Sequence, residues 1–176
     1  MNATNFSSLK LQPELLKNID SLGYSEMTPI QAQSLPFILA GQDVIGQAKT
    51  GSGKTAAFGL GILERLDVET SGIQALVLCP TRELADQVSK ALRQLARMRP
   101  NVKILTLCGG MPYRPQVKSL GHGAHVVVGT PGRIAKHLRT ESLKLEDLRV
   151  LVLDEGDRML EMGFEEEVDA IIARTP

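Results

Sequence analysis

A glycine-rich segment, AKTGSGKT, follows a short apolar run and opens a stretch typical of a helix. Gly51 and Gly53 permit backbone conformations that turn main-chain amides toward an anion, and the start of the following helix adds partial positive charge. Lys54 can reach the β and γ phosphates of a nucleotide, and the Thr55 hydroxyl can bind Mg²⁺. The segment predicts a phosphate-binding loop, although Ala48 stands where the general pattern has its first glycine. The predicted loop comprises Ala48, Lys49, Thr50, Gly51, Ser52, Gly53, Lys54 and Thr55.

A pair of acids comes directly after another apolar run. The run Val150–Leu153 leads into Asp154 and Glu155, and ligands of open α/β sheets bind at the carboxyl ends of strands. Asp154 is therefore predicted to hold Mg²⁺, directly or through water. Glu155 is predicted to orient or deprotonate the attacking water in phosphoryl transfer. Considered alone, these acids would equally suit the first turn of a helix, where negative charge is favourable.

The elements that must position these residues alternate along the chain. Short runs that are apolar on both faces predict strands of a parallel sheet covered by helices, and longer helical patterns lie between them. This β-α-β-α order implies right-handed crossovers and an open α/β fold. Strands are predicted at Asp43–Gln47, Gln74–Cys79, Val102–Cys108, His125–Gly129 and Arg149–Leu153. Helices are predicted at Pro13–Leu22, Pro29–Ala40, Lys54–Leu66, Arg82–Met98, Pro112–Leu120, Pro131–Thr140 and Glu165–Ala173.

The composition is that of a globular protein of about one domain. The chain has 176 residues, of which 43% are apolar and 23% charged. No apolar run approaches the ~20 residues of a membrane span, and no apolar segment of a signal peptide follows Met1. Cys79 and Cys108 lie inside apolar runs, which favours buried free thiols in a reducing cytosol over a disulfide.

Charge is unevenly distributed, although 20 basic and 20 acidic residues give a formal net charge of zero. Residues 89–140 contain 10 basic residues and no acid, and we call this segment the acid-free block. It can form a positive face, but ordinary solvated helix surfaces explain the same charges equally well. His122, His125 and His137 lack metal-ligand spacing with the cysteines, so structural roles are expected for them.

Several motifs occur in an order that resembles the amino-terminal RecA-like domain of DEAD-box ATP-dependent RNA helicases. The resemblance extends from Phe6 to the end of the chain and explains the alanine at position 48. It implies an α/β RecA-like P-loop NTPase domain with an open, mostly parallel sheet and helices on both faces. The motifs are GYSEMTPIQ (23–31, the Q motif), AKTGSGKT (48–55), PTRELA (80–85), GG (109–110), TPGR (130–133) and DEGD (154–157, where the family has DEAD).

The resemblance implies a domain that binds and hydrolyses ATP, with ATP and Mg²⁺ as cofactors. Lys54, Asp154 and Glu155 would be catalytic, and Thr55 and Asp154 would bind the metal. Gly156 replaces the alanine of the family, which puts in doubt how firmly Glu155 is placed.

An adenine pocket and an RNA face are implied as well. Gln31 would bond the adenine edge, although residues 28–31 also fit a capping box in which the glutamine only satisfies a helix amide. The RNA contacts would grip the backbone of a single strand or duplex without reading bases, and the threonines among them could be simple helix caps. The adenine pocket would comprise Phe6, Tyr24, Glu26 and Gln31. The RNA contacts would be Pro80, Thr81, Arg82, Gly109, Gly110, Thr130, Pro131, Gly132 and Arg133.

The expected organisation is an amino-terminal helical segment with the Q motif at 1–31, followed by the RecA-like domain at 32–176. The chain stops before the Ser-Ala-Thr motif and the second RecA-like domain of the family, so it is expected to be truncated and largely inactive. The full-length protein is expected to be a cytoplasmic monomer that remodels RNA duplexes. A catalytically inactive nucleotide- or RNA-binding module is the alternative. Another P-loop NTPase, such as a DNA translocase, is disfavoured by Gln31 and the RNA-side motifs.

Overall fold

The sequence forms an α/β fold in residues 4–176, the part that the computed structural model describes. A short 3₁₀ helix at Phe6–Ser8 precedes the first α-helix. The strands are β1 (Ala75–Leu78), β2 (Ile104–Leu107), β3 (Val126–Gly129) and β4 (Val150–Leu153). The helices are α1 (Pro13–Ser21), α2 (Pro29–Leu39), α3 (Lys54–Arg65), α4 (Arg82–Leu95), α5 (Tyr113–Gly121), α6 (Pro131–Arg139), α7 (Gly156–Glu161) and α8 (Glu165–Ile172).

The chain divides into two compact units. The first contains the described residues up to Leu66 together with Ala91–Asn101, and the second contains Asp67–Lys90 and Val102–Pro176. In the first unit, buried Asn18 on α1 donates to the carbonyl oxygens of Gln94 and Leu95 at 2.7 and 2.8 Å. These bonds fix α1 against the end of α4.

The second unit contains the sheet, whose strands are all parallel in the order β2-β3-β1-β4. Leu78 at the end of β1 lies opposite both Gly129 and Leu153, and Leu107 also lies opposite Gly129. The four strands therefore end in register, and the residue after each strand leaves the sheet at the same edge. We call this the carboxyl edge.

Burial in the sheet follows strand position. Every residue of β1 and β3 is buried, whereas β4 pairs with β1 alone and Leu153 is 41% exposed. Strands apolar on both faces fill the middle of a covered parallel sheet, so the sequence prediction for these runs is confirmed. The buried core of this unit includes Leu76, Leu78, Leu107, Val127, Ile134, Met159 and Ile171.

The predicted strand Asp43–Gln47 is wrong. These residues adopt no regular structure, and the Ile45 side chain is fully exposed. A strand must pair its backbone N–H and C=O groups with a neighbour, and all four described strands belong to the second unit, whereas 43–47 belongs to the first. A local apolar pattern does not supply that neighbour.

Both cysteines are buried free thiols, as the sequence predicts. Burial raises the pKa of Cys79, and nearby Asp154, Cys108 and Glu155 add to the shift. Burial also raises the pKa of Cys108 to about 11. Both side chains therefore stay as neutral thiols at neutral pH. Within residues 4–176, no helix combines the length and apolarity required to cross a bilayer.

A substitution at Gly129 tests the close packing at the end of β3. A Cβ at this position would lie 2.4 Å from the Leu107 carbonyl oxygen and 2.7 Å from Ile134 Cδ1. We expect Gly129→Ala to lower the free energy of unfolding by about 2–4 kcal/mol in urea denaturation. Gly121→Ala is the control, since a Cβ there meets nothing within 4 Å. Equal stability of the two variants would contradict this packing.

Candidate nucleotide and nucleic-acid sites

The glycine-rich loop of the first unit ends at α3. Gly51 and Gly53 have φ values of +78° and +92°, in the left-handed region that favours glycine. Gly53 is the N-cap of α3, so no side chain caps the first amides of this helix. Lys54 Nζ donates to the Ala48 carbonyl at 2.7 Å, which folds the ammonium group back to the start of the loop. Uncapped amides and a cation are what a phosphate group requires.

Two buried hydroxyl groups lie in this unit near the loop. Ser52 Oγ has no hydrogen-bond partner among the described residues, whereas Thr28 Oγ1 faces the Gln31 N–H of its own capping box at a geometry too poor for a regular hydrogen bond. A Cβ built on Gly53 would lie 2.9 Å from Thr28 Oγ1, so this hydroxyl borders the loop. Buried polar groups almost always have partners. An unpaired Ser52 hydroxyl beside uncapped amides therefore fits a ligand rich in oxygen atoms, such as the phosphates of ATP.

Gln31 connects the Q motif to this loop. Its side chain is buried, with Oε1 accepting from the Thr28 N–H at 2.9 Å and Nε2 donating to the Gly53 carbonyl at 3.0 Å. The first bond is the glutamine half of the capping box that residues 28–31 predict. The second bond ties the glutamine to the N-cap of α3. The bond to adenine stays a prediction.

The other predicted adenine-pocket residues come together in the same unit. Phe6 is 3% exposed and stacks on Tyr24, with ring centroids 6.3 Å apart, whereas Tyr24 is 45% exposed. Asn5 and Glu26 form an isolated antiparallel bridge that holds the two segments side by side. Tyr24 therefore presents the accessible ring, and Phe6 supports it.

In the second unit, the predicted RNA contacts follow three neighbouring strands. Residues 80–82 follow β1, residues 109–110 follow β2, and residues 130–133 follow β3. The carboxyl edge therefore brings all three motifs together. Arg82 is exposed, and its Nη1 lies 3.8 Å from the place of a Cβ on Gly110.

The two threonines at this edge behave differently. Thr81 Oγ1 accepts from the Leu84 N–H at 3.2 Å and so caps α4, as the simple interpretation of this residue predicts. Thr130 is the N-cap residue of α6, but its hydroxyl makes no capping bond. It accepts instead from the Gly109 N–H at 3.2 Å, which joins the loops that follow β2 and β3.

Two cations, Arg133 and Lys136, lie about one turn apart on α6 and form a cluster with residues of α5. Arg133 Nη1 donates to the Met111 carbonyl at 2.7 Å and to Gln116 Oε1 at 3.0 Å. Lys136 Nζ lies 4.4 Å from the centroid of the Tyr113 ring, which also stacks on His137. Throughout residues 4–176, no carboxylate lies within ion-pair distance of Arg133 or Lys136. The cluster therefore remains positively charged and suits an anion.

Sequence reasoning missed three members of this cluster: Tyr113, Gln116 and Lys136. The absence of acids from residues 89–140 pointed to a positive surface but selected no residue within it. The placement of Lys136 over Tyr113 depends on how α5 and α6 pack together, which the spacing of the residues does not reveal.

The acids after β4 also lie at the carboxyl edge. Asp154 is buried, and its N–H donates to the Leu78 carbonyl at 2.9 Å. Glu155 has a φ of +52°, which is strained for a residue with a side chain, and its carboxylate pairs with Arg158 at 3.2 Å. A Cβ on Gly156 would meet only Leu153 Cβ at 3.8 Å, so the alanine of the family would fit here.

The donors for a divalent cation are few. Among the described residues, no three His, Cys, Asp or Glu side chains are grouped as a metal site. Mg²⁺ bound with a nucleotide needs only one or two protein ligands, because phosphate and water oxygens supply the others. The assignment of Thr55 and Asp154 to Mg²⁺ therefore stays a prediction that this chemistry permits.

Known proteins share both the sequence and the fold. The profile of the DEAD/DEAH box helicase family matches residues 28–176. The ATP-dependent RNA helicase DbpA of Escherichia coli is 58% identical over 174 residues, which cover 98% of this chain and 38% of that protein. The DEAD-box ATP-dependent RNA helicase CshA of Streptococcus pneumoniae is 50% identical over 171 residues, which cover 97% of this chain and 32% of that protein.

A solved structure agrees with these matches. The crystal structure of a DEAD box protein from the hyperthermophile Methanococcus jannaschii matches with a TM-score of 0.93 and 39% identity. The match covers 98% of this chain and 47% of that one. The predicted RecA-like α/β fold is thereby confirmed. The chain spans 38% and 32% of the length of the two curated relatives.

Ser52→Ala tests whether the unpaired hydroxyl serves a ligand. Removing a buried hydroxyl that has no partner should raise the free energy of unfolding by about 1 kcal/mol in the absence of nucleotide. The same change should weaken binding of Mg·ATP, because the alanine offers no bond to a phosphate oxygen. Ser7→Ala, at an exposed position, is the control for denaturation and for nucleotide titration. A Ser52→Ala chain that loses stability and keeps full affinity would contradict this interpretation.

His137 should make stability depend on pH. Its imidazole is buried, and burial with the nearby charges of Arg133 and Lys136 lowers its pKa to about 4. Because the unfolded chain has a pKa of about 6.5, it binds more protons between these values, and stability falls as pH drops through that window. We expect a loss on the order of 2 kcal/mol between pH 7 and pH 4, reduced from the full shift by solvent screening.

The measurement is urea denaturation across this pH range, with His137→Gln as the comparison. Glutamine does not titrate, so the variant should lose less stability than the parent as pH falls. Parallel pH profiles for the two chains would show that His137 is not held neutral by the fold.

Proposed function

Because this chain belongs to the DEAD/DEAH box helicase family, we propose that it is the ATP-binding and ATP-hydrolysing amino-terminal part of an RNA helicase. The helicase would remodel RNA duplexes by gripping the RNA backbone. The observation that carries this proposal is the glycine-rich loop, where uncapped α3 amides, Lys54 and the unpaired Ser52 hydroxyl meet. Buried hydroxyls in a loop with only a structural role usually have a partner, so the unpaired Ser52 hydroxyl supports a ligand here.

The phosphates of ATP would lie against residues 48–55. The amides at the start of α3 and the Lys54 ammonium would neutralise the β and γ phosphates. This requires Lys54 Nζ to exchange its bond with the Ala48 carbonyl for bonds with phosphate oxygens. Mg²⁺, when bound with ATP, supplies further charge neutralisation, and Thr55 and Asp154 are the residues that would hold it.

Glu155 is the proposed acceptor of the proton from the attacking water. Its left-handed backbone and the pairing with Arg158 fix the carboxylate at the first turn of α7. Strained backbone of this kind concentrates at functional sites, where surrounding structure maintains it. Gly156 follows immediately and imposes no steric limit on this corner.

Adenine would be recognised by Gln31, beside Tyr24, Phe6 and Glu26. An amide side chain has two N–H groups and two lone pairs on its oxygen. Gln31 uses one N–H for Gly53 and one lone pair for Thr28, which leaves one of each for the adenine edge. The capping role and the adenine role are therefore compatible, and the remaining donor and acceptor favour ATP over GTP.

RNA would bind across the carboxyl edge of the second unit through its phosphates and sugars. Arg82, Arg133 and Lys136 provide positive charge, and Gly109, Gly110 and Gly132 leave room for a backbone to approach closely. Such contacts do not depend on base identity, so a single strand or a duplex would be accepted.

The complete activity would require more than this chain. The relatives are longer. The family resemblance implies a second RecA-like domain that supplies arginine fingers for hydrolysis. We therefore place unwinding in a longer cytoplasmic protein that acts as a monomer, and we expect the 176-residue chain to bind ligands without unwinding RNA.

Nucleotide titration tests this proposal. A fluorescent ATP analogue with Mg²⁺ should bind the folded chain, and ATP should displace it better than GTP. Lys54→Ala should weaken binding by about tenfold or more, because a charge-assisted contact to phosphate is lost. Lys17→Ala, an exposed lysine on α1, should bind like the parent.

Two results would contradict it: no affinity for the analogue, or full affinity in Lys54→Ala. An inactive binding module is distinguished by RNA-stimulated ATP hydrolysis in the longer protein. Hydrolysis that Glu155→Gln abolishes would exclude that alternative, and binding of both ligands without hydrolysis would support it.

A further inference from the structure

A buried hydrogen-bond network lies beneath the proposed RNA face, and Gln116 is its centre. Gln116 lies on α5 with a relative exposure of 8%. Its Oε1 accepts from Arg133 Nη1 at 3.0 Å and from His137 Nε2 at 2.8 Å. Its Nε2 donates to the Cys108 carbonyl, the last before Gly109 and Gly110, at 3.1 Å.

These partners permit a single orientation of the amide. A guanidinium group can only donate, so Gln116 must turn its oxygen toward Arg133. His137 Nε2 must then carry the imidazole proton, because the amide oxygen it faces can only accept. His137 Nδ1 accepts from the Ser142 hydroxyl at 2.7 Å, which completes the assignment. The low pKa of His137 keeps this neutral form at physiological pH.

The network fixes one side of the Arg133 guanidinium. Nη1 carries two N–H groups, and these serve the Met111 carbonyl and Gln116 Oε1. Both acceptors are attached to the Gly109–Gly110 turn, since Met111 follows it and Gln116 bonds the carbonyl of Cys108 before it. Of the five N–H groups of arginine, the three on Nε and Nη2 remain. They form the edge that binds two phosphate oxygens at once.

We propose that Gln116 is a positioning residue for RNA binding, which locks Nη1 of Arg133 so that the Nε and Nη2 edge faces an RNA phosphate. This inference rests on the proposed RNA contact of Arg133. His137 acts one step further back, since it holds the oxygen of Gln116 toward the guanidinium. Through the same amide, the position of Arg133 is coupled to the Gly109–Gly110 turn, so these two RNA motifs act as one unit.

The test is a double-mutant cycle on the 176-residue chain. The affinity for a labelled single-stranded RNA is measured by fluorescence anisotropy over a series of KCl concentrations, in Gln116→Met, Arg133→Ala and the double variant. Gln116→Met should weaken RNA binding by about tenfold, and the slope of log affinity against log salt should shrink by about 0.7, the value of one phosphate contact. In the Arg133→Ala background the same change should have no further effect.

Controls separate positioning from folding. Gln87→Met, an exposed glutamine on α4, should leave affinity and slope unchanged. Gln116→Glu keeps an oxygen for both donors but loses the N–H that reaches the Cys108 carbonyl, and its carboxylate would pair with Arg133. With its fold verified by circular dichroism and urea denaturation, this variant should bind the fluorescent ATP analogue normally and lose RNA affinity. This variant gives the answer if Gln116→Met unfolds.

Two results would overturn the assignment while leaving the proposed function intact. One is full RNA affinity in both Gln116→Met and Gln116→Glu, together with loss in Arg133→Ala. The other is an equal loss from Gln116→Met with and without Arg133. If the parent chain binds no RNA, or if Arg133→Ala binds it normally, the RNA contact of Arg133 fails and this inference fails with it.

Discussion

The common register of the four parallel strands is the constraint on which the second unit depends. Because Leu78, Leu107, Gly129 and Leu153 all end their strands at one level, every polar segment that follows a strand leaves at the carboxyl edge. A shift of any strand would separate the motifs that Thr130 and Arg133 now join. The residues of β1 and β3 are all buried. The backbone hydrogen bonds between these strands therefore bring residues that are far apart in the sequence onto one surface.

The two units present polar groups to the anions of their proposed ligands in different ways. In the first, glycines with positive φ leave helix amides uncapped, and the buried Ser52 hydroxyl has no partner among the described residues. In the second, cations are held by carbonyl oxygens, an amide and an aromatic ring instead of carboxylates. In the first unit, the unpaired Ser52 hydroxyl costs stability that the proposed phosphate ligand would restore.

Sequence pattern predicted most of this organisation because the informative signals are local. The runs at 75–78 and 126–129 are apolar on both faces, and Thr28 and Thr130 each precede a proline at a helix start, so these elements follow from the residues themselves. Residues 43–47 have the same pattern but no strand beside them, and pairing is not a local property. The positions of Gln116 and Lys136 beside Arg133 and Tyr113 could not be predicted from the sequence, because they depend on the contact of α5 with α6. Gln31 is the reverse case, since its local capping bond is present in the structure and its bond to adenine stays a prediction.

The most direct measurement of the central claim is an amide NMR titration of the 19.1 kDa chain with a short single-stranded RNA. Glycines lie at both ends of the strands and report on each edge separately. We expect the amide chemical shifts of Gly109, Gly110 and Gly132, at the carboxyl edge, to change progressively as RNA is added. The amide chemical shifts of Gly72 and Gly123, which precede β1 and β3 at the opposite edge, should not change. Shifts at Gly72 and Gly123 with none at Gly109, Gly110 and Gly132 would contradict it.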